Sequence, residues 1–188
     1  TMDSVSRLVR ERFVPAIAGT DPLRTVFIME RLKKAANGVP ASSALAMADM
    51  ALYDLVGKAA GLPLYKILGG FRRQIKTSVT IGILPLEETV EKAREFIAKG
   101  FKALKIKGGA RVEDDIERVL AVRAAVGKSI EIRFDANQGY TVKEAIRLCR
   151  LAEQHDVGLE LLEQPVAAWN LQGMAEVRRA TDTLIEAD

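Results

Sequence analysis

Residues 103–107 read Ala-Leu-Lys-Ile-Lys, residues 130–135 read Ile-Glu-Ile-Arg-Phe-Asp, and residues 159–163 read Leu-Glu-Leu-Leu-Glu. Each is a short apolar segment that closes on an ionisable residue, and each is followed by a longer stretch of amphipathic helical texture. Lys107, Asp135 and Glu163 follow one another at intervals of 28 residues, and Asp188 follows after 25. Such an interval holds one strand, one helix and their connections, about 30 residues. Outward from these segments, strands are predicted at 75–82, 103–107, 130–135, 159–163 and 184–188. Helices are predicted between them at about 86–99, 113–126, 141–155 and 170–180. Strand and helix alternating at a fixed period predict parallel βαβ units. In a (β/α) barrel the C-terminal strand ends converge on one mouth, so the four ionisable residues would face a shared cavity. A doubly wound open sheet would spread them along a line, and it usually carries a glycine-rich phosphate turn after its first strand. Gly82-Ile83-Leu84-Pro85 is no such turn.

The first third of the chain reads as helical. Asp3 is a predicted N-cap for a helix to Arg12, which should end before Pro15. Gly19-Thr20-Asp21-Pro22 reads as a turn into a second helix through Lys34. A third is predicted from about Ala41 to Ala59, closed by Gly61. Its stripe of Ala44, Ala48, Ala51, Leu52 and Leu55 predicts close packing against a neighbour. Gly69-Gly70 punctuates the end of this region, so the domains are drawn at 1–70 and 71–188.

Composition narrows the function classes. A hydrophobic share of 48% and a charged share of 28% are those of a soluble globular protein. No apolar run approaches the roughly 20 residues of a membrane helix, and no signal peptide is visible, so no membrane partner is expected. A single cysteine, Cys149, excludes an internal disulfide and fits the cytoplasm. The net charge is only +3, from 28 basic and 25 acidic residues. Acids and bases interleave, as at Glu87, Glu88, Glu91, Lys92, Arg94 and Glu95, which reads as a solvated helix face and not as a nucleic-acid footprint. Both ends read as cut: the chain starts at Thr1, and Asp188 closes an apolar segment.

Two constellations carry chemistry. Asp135, Glu163 and Asp188 are carboxylates at equivalent predicted strand ends, and hard oxygen donors of this kind suit Mg²⁺. One histidine, His155, and one cysteine make a zinc site a poor fit. Taken singly, a strand-end acid more simply caps a helix or pairs with an arginine; the matched spacing of three argues for a shared role. Lys105 and Lys107 are two apart on a strand, so both ammonium groups should point to the same side. Each is expected to depress the pKa of the other, and a nearby divalent metal to depress both, making a lysine usable as a base. The plainer alternative is a pair of surface lysines on an edge. Together the sets suggest a metal that grips a substrate carboxylate while a lysine removes the adjacent proton, giving an enediolate.

These residues also carry a resemblance. Lys105-Ile106-Lys107, Asp135-Ala136-Asn137, Glu163-Gln164-Pro165 and Ala187-Asp188 resemble the Lys-x-Lys, Asp-x-Asn, Glu-x-Pro and final metal-aspartate motifs of the muconate-lactonizing subgroup of the enolase superfamily. The stretch Ala48-Asp49-Met50-Ala51-Leu52-Tyr53-Asp54-Leu55, with Gly61-Leu62-Pro63-Leu64-Tyr65 and Leu68-Gly69-Gly70, is similar to the helical signature before that family's barrel. The resemblance implies an α/β fold: a TIM-type (β/α) barrel, here its first five strands only, preceded by helices of an α+β capping domain. It implies Lys107 as acid/base catalyst, Lys105 as its electrostatic partner, and Asp135, Glu163 and Asp188 as ligands of Mg²⁺, with Mn²⁺ as an alternative. Asn137 would support the ligands, and Thr80 would contact substrate, though a buried strand residue is an equal reading of Thr80.

Within the subgroup, Thr77-Ser78-Val79-Thr80 and the segments 135–140 and 160–166 look most like dipeptide (L-Ala-D/L-Glu) epimerases. Muconate cycloisomerases, o-succinylbenzoate synthases and N-acylamino acid racemases share the core motifs. The implied partner is a small carboxylate substrate of dipeptide or N-acyl amino acid type, and the implied parent is a homo-oligomer. The family's lysine on the sixth barrel strand has no counterpart in these 188 residues, so the chain alone is expected not to epimerise. Two rivals are an inactive truncated homologue and an unrelated barrel aldolase that forms a Schiff base at Lys107. Of the remaining residues, Trp169 is expected to pack the following helix, His155 to end a helix and Cys149 to be buried.

Overall fold

The structure, a computed structural model, describes residues 2–188 and divides the chain into two compact units between Gln74 and Ile75. The first unit is helical. α1 (Met2–Leu8) passes through a π-helical turn (Val9–Phe13) into α2 (Val14–Ile17). The predicted stop before Pro15 is absent, and Asp3 lies inside α1 instead of capping it. A proline lacks an N–H and crowds the carbonyl four residues back; a wider turn just before it relieves both. The Val14 N–H makes that wider bond to the Val9 carbonyl.

Asp21 then turns the chain, its carboxylate accepting the Leu23 N–H at 2.9 Å. α3 (Thr25–Ala36), α4 (Ser42–Ala60) and the short α5 (Leu64–Ile67) follow, and Gly61, at φ 63°, closes α4 in the left-handed region. Phe13, Ile28, Leu32, Ala44 and Leu52 form the core of this unit. Only part of the predicted α4 stripe is buried. Ala44, Ala48 and Leu52, four residues apart, face the core, whereas Ala51 and Leu55 lie one position round the helix and are exposed.

The second unit alternates β1 (Val79–Ile81), α6 (Leu86–Ala98), β2 (Ala103–Lys107), α7 (Val112–Val126), β3 (Glu131–Asp135), α8 (Val142–Gln154), β4 (Leu159–Glu163), α9 (Leu171–Ala180) and β5 (Leu184–Glu186). All pairings are parallel, and the strands lie in the order β1-β2-β3-β4-β5. An order that never reverses, joined by right-handed crossovers, keeps every helix on one face of the sheet. The doubly wound alternative, which needs a reversal, is excluded.

Leu104, Ile106, Ile132, Phe134 and Leu162 are completely buried on the helix side, against Ala93, Val119, Val122, Ala145, Leu148 and Val177. Each large side chain so buried stabilises the fold by about 1.5–3 kcal/mol. Strand alternation then sends Lys105, Lys107, Arg133 and Asp135 to the other face.

Three strands are shorter than predicted, β3 only by its first residue, and β1 and β5 by more. Val79 pairs with Leu104, so residues before Ser78 would lie opposite the chain before β2 begins at Ala103. β5 ends at Glu186, which pairs with Glu163, the last residue of β4. Asp188 therefore lies past the ladder and not at a strand end. Among the described residues no helix is long and apolar enough to cross a membrane.

Cys149, on the inner face of α8, is fully buried, and burial pushes its thiol up to about 11. It should stay unreactive toward an aromatic disulfide reagent in native buffer and titrate as one thiol in denaturant. Rapid native labelling would contradict this packing.

Candidate active site at the strand ends

Two rows of side chains cross the open face of the sheet. Thr80, Lys105, Arg133, Leu161 and Leu184 are aligned in one, and Lys107, Asp135, Glu163 and Glu186 in the next. The second row is the last layer before the strands end. Lys105 reaches up into it from the row below. Its Nζ lies 3.0 Å from Asp135 Oδ2 and 2.5 Å from Glu163 Oε2, while Lys107 Nζ lies 2.6 Å from the same Asp135 Oδ2. The other Asp135 oxygen accepts the Asn137 backbone N–H at 2.9 Å and is bonded by the Asn137 side-chain amide. Asn137 can make both bonds because it turns back at φ 45° immediately after the strand. Its Oδ1 also accepts from Lys107 at 3.5 Å.

Asp135 is completely buried, which by itself pushes its carboxyl pKa up. Lys107, Lys105 and the Asn137 N–H outweigh that and bring it from 3.8 down to about 2. Burial likewise pushes Lys105 down, but Glu163 and Asp135 hold its ammonium above the ordinary lysine range. The expected lowering is therefore reversed at Lys105: two carboxylates flank it, and their hydrogen bonds and charge outweigh its burial.

Of the predicted site residues, the structure brings Lys105, Lys107, Asp135, Glu163 and Asn137 together and sets Thr80 beside Lys105 on β1. Asp188 stands apart from the aligned row, with its N–H donated to Gln164 Oε1 at 2.9 Å. Among the described residues no three acidic, imidazole or thiol side chains stand close enough to hold one ion. The donor set nonetheless suits a hard divalent cation. Asp135 and Glu163 turn carboxylate oxygens on one positive centre, the Lys105 ammonium, which occupies the position such an ion would compete for.

Sequence reasoning missed two residues of these rows. Glu186, not Asp188, aligns with Glu163; its only signal was a spacing of two from Asp188. Arg133, two residues before Asp135, donates to Glu160 at 2.7 Å. A register shift between Ile132 and Arg133 lies opposite that glutamate, and sequence gave no hint of it. Trp169, expected to pack α9, is 85% exposed; Asn170 caps that helix through the Gly173 N–H, leaving the ring outside.

Residues 2–69 match the N-terminal domain of the mandelate racemase / muconate lactonizing enzyme family, and residues 88–188 match the enolase C-terminal domain-like family. The chain belongs to this family. It is 44% identical over 147 residues to an L-Ala-D/L-Glu epimerase of Clostridium acetobutylicum, covering 78% of this chain and 41% of the relative. It is 42% identical over 178 residues to a hydrophobic dipeptide epimerase of Enterococcus faecalis, covering 95% and 49%. A substrate-liganded L-Ala-D/L-Glu epimerase from Bacillus subtilis superposes with a TM-score of 0.89 at 37% identity, over the whole chain and 52% of that structure. The Enterococcus faecalis enzyme solved with Mg and the dipeptide L-Leu-L-Tyr gives 0.89 at 39%, again over the whole chain and 52%. The five-stranded unit thus has the fold of the enolase-superfamily barrel, and the chain spans about half the length of these relatives.

The lowered Asp135 pKa makes stability depend on acid. With the folded value near 2 and the ordinary value at 3.8, its stabilisation is present above 3.8 and lost as pH falls through about 2. With chelator present, denaturant unfolding should show Asp135→Asn losing about 2 kcal/mol less than the unmutated chain between about pH 5 and pH 2. Identical pH dependence would remove Asp135 as the buried, ion-paired acid.

Proposed function

We propose that the protein takes the α-proton from a carboxylate-bearing substrate, a dipeptide, and acts as a Mg²⁺-dependent epimerase. The observation that carries this reading is Lys107 Nζ resting on Asp135 Oδ2 beside a second cation–carboxylate pair, Lys105 with Glu163, in one register at the strand ends. The epimerase names of the relatives support the reaction class, and the dipeptide complexes among the solved structures support the substrate class.

Asp135 and Glu163 would hold the cation, and Asp188, which stands apart from them past the end of β5, would have to turn in as the third carboxylate. Bound there, Mg²⁺ supplies positive charge toward the substrate carboxylate, where negative charge grows as the proton leaves. Mn²⁺, which takes the same hard donors, would substitute.

Lys107 in its neutral form accepts the α-proton on Nζ as the substrate becomes an enediolate; inversion then requires a proton delivered to the opposite face by a second acid, a role that no residue of the two strand-end rows is assigned. The Lys105 ammonium shares the same Asp135 oxygen with Lys107, so both amines are held against one carboxylate. Asn137 fixes Asp135 through two bonds and accepts from Lys107, so it sets the direction of the Nζ lone pair. Thr80, one row below and beside Lys105, is assigned to substrate contact.

The test is wash-in of solvent deuterium at the α-carbon of an Ala-Glu dipeptide, using the protein expressed from its complete reading frame. Exchange should require Mg²⁺, stop with chelator, and fall by about 10²–10⁴-fold in Lys107→Ala. Exchange that persists in that variant would overturn the assignment.

A further inference from the structure

Immediately after Lys107 the chain makes a tight turn. Gly109 sits at φ 99°, and a methyl group there would overlap the Ala136 carbonyl; one on Gly139 would overlap the Gly109 carbonyl in return. The loops that follow β2 and β3 are therefore in backbone contact. The side chain that fastens them comes from outside the strand-end rows. Asp115, in the first turn of α7, is only 1% exposed. Its Oδ2 accepts the Gly109 N–H at 2.8 Å and the Tyr140 hydroxyl at 2.6 Å, and its Oδ1 pairs with Arg118. Tyr140 is itself buried, and its backbone N–H donates to the Pro165 carbonyl at 2.9 Å, just past Glu163.

Arg118 alone would answer the charge of Asp115. The two further bonds run to the loop after Lys107 and to the loop after Asp135 and Asn137, the two turns that leave the sheet at the paired strand ends Lys107 and Asp135. Burial, with the Asp115 charge beside it, holds the Tyr140 hydroxyl protonated, so it remains a donor.

The geometry points to Asp115 as a positioning residue that locks the turn after Lys107 to the turn after Asp135 and so keeps Lys107 Nζ on Asp135 Oδ2. Treating that pair as reactive rests on the function proposed above; the fastening does not. Asp115 touches no substrate, and its effect reaches the site only through the two loops.

Two variants test this, Asp115→Asn and Tyr140→Phe, in the protein expressed from its complete reading frame. Hydrogen exchange at the Gly109 and Asn137 amides should speed up about tenfold in both, with α8 amides unchanged. The α-proton exchange rate at saturating dipeptide should fall about tenfold, with KM held within about twofold. Tyr140→Phe loses one hydroxyl and strands no extra charge, so it decides the matter even where Asp115→Asn fails to fold. Unchanged amide protection in Tyr140→Phe overturns the proposal. Faster amide exchange with an unchanged catalytic rate overturns it as well, since the role is then purely structural. Where the unmutated protein exchanges no substrate proton, the functional reading fails, and amide protection alone decides the role of Asp115.

Discussion

A carboxylate out of contact with water must have its charge answered, and Asp135 is such a carboxylate. Two ammonium groups, one backbone N–H and one side-chain amide answer it, and each comes from a residue whose place is set by β2, β3 or the turn after β3. The register between β2 and β3 is thereby specified twice. Slipping it by one residue would turn Leu104 and Ile106 to the open face and drive Lys105 and Lys107 into the helix layer. The hydrophobic pattern forbids that slip, and so does the ion pairing.

The same interaction explains why Lys105 and Lys107 differ although only one residue separates them. Lys107 is in the row of Asp135 and meets it laterally, while Lys105 starts a row lower and reaches up between Asp135 and Glu163. One ammonium is thus placed as a bridge between two acids and the other as the outermost base of the row. Asn137, turned back over the strand end, closes the group on the loop side.

Much of this was legible in the amino-acid sequence, for physical reasons that differ by element. β2 and β4 were bounded at both ends because an apolar run stops at turn or helix residues on either side. The ends of β1 and β5 were not, because a strand's length there depends on what its neighbour offers. The chain opposite residues before Ser78 precedes β2, and Glu163 is the last partner that β5 has. Lys105, Lys107, Asp135 and Glu163 could be placed together by counting, since residues equivalent in successive βα units share a row. Their electrostatics could not: spacing put two cations side by side, and only the register showed the two anions between which Lys105 sits. Asp115 gave no signal, because an acid in the first turn of a helix is what the helix dipole favours everywhere. Pro15 misled for the opposite reason, since a widened turn before it allowed a helix that the local rule would stop.

The central claim is that Asp135 and Glu163 form a seat for a divalent cation at the end of the sheet. The most direct measurement is a Mg²⁺ titration followed through the backbone amide signals. The account predicts saturable shifts confined to the turns after β2, β3 and β4, largest at Asn137, whose N–H is bonded to Asp135, and lost in Glu163→Gln. Shifts that survive in Glu163→Gln, or that fall on the helices and leave Asn137 unmoved, would contradict it.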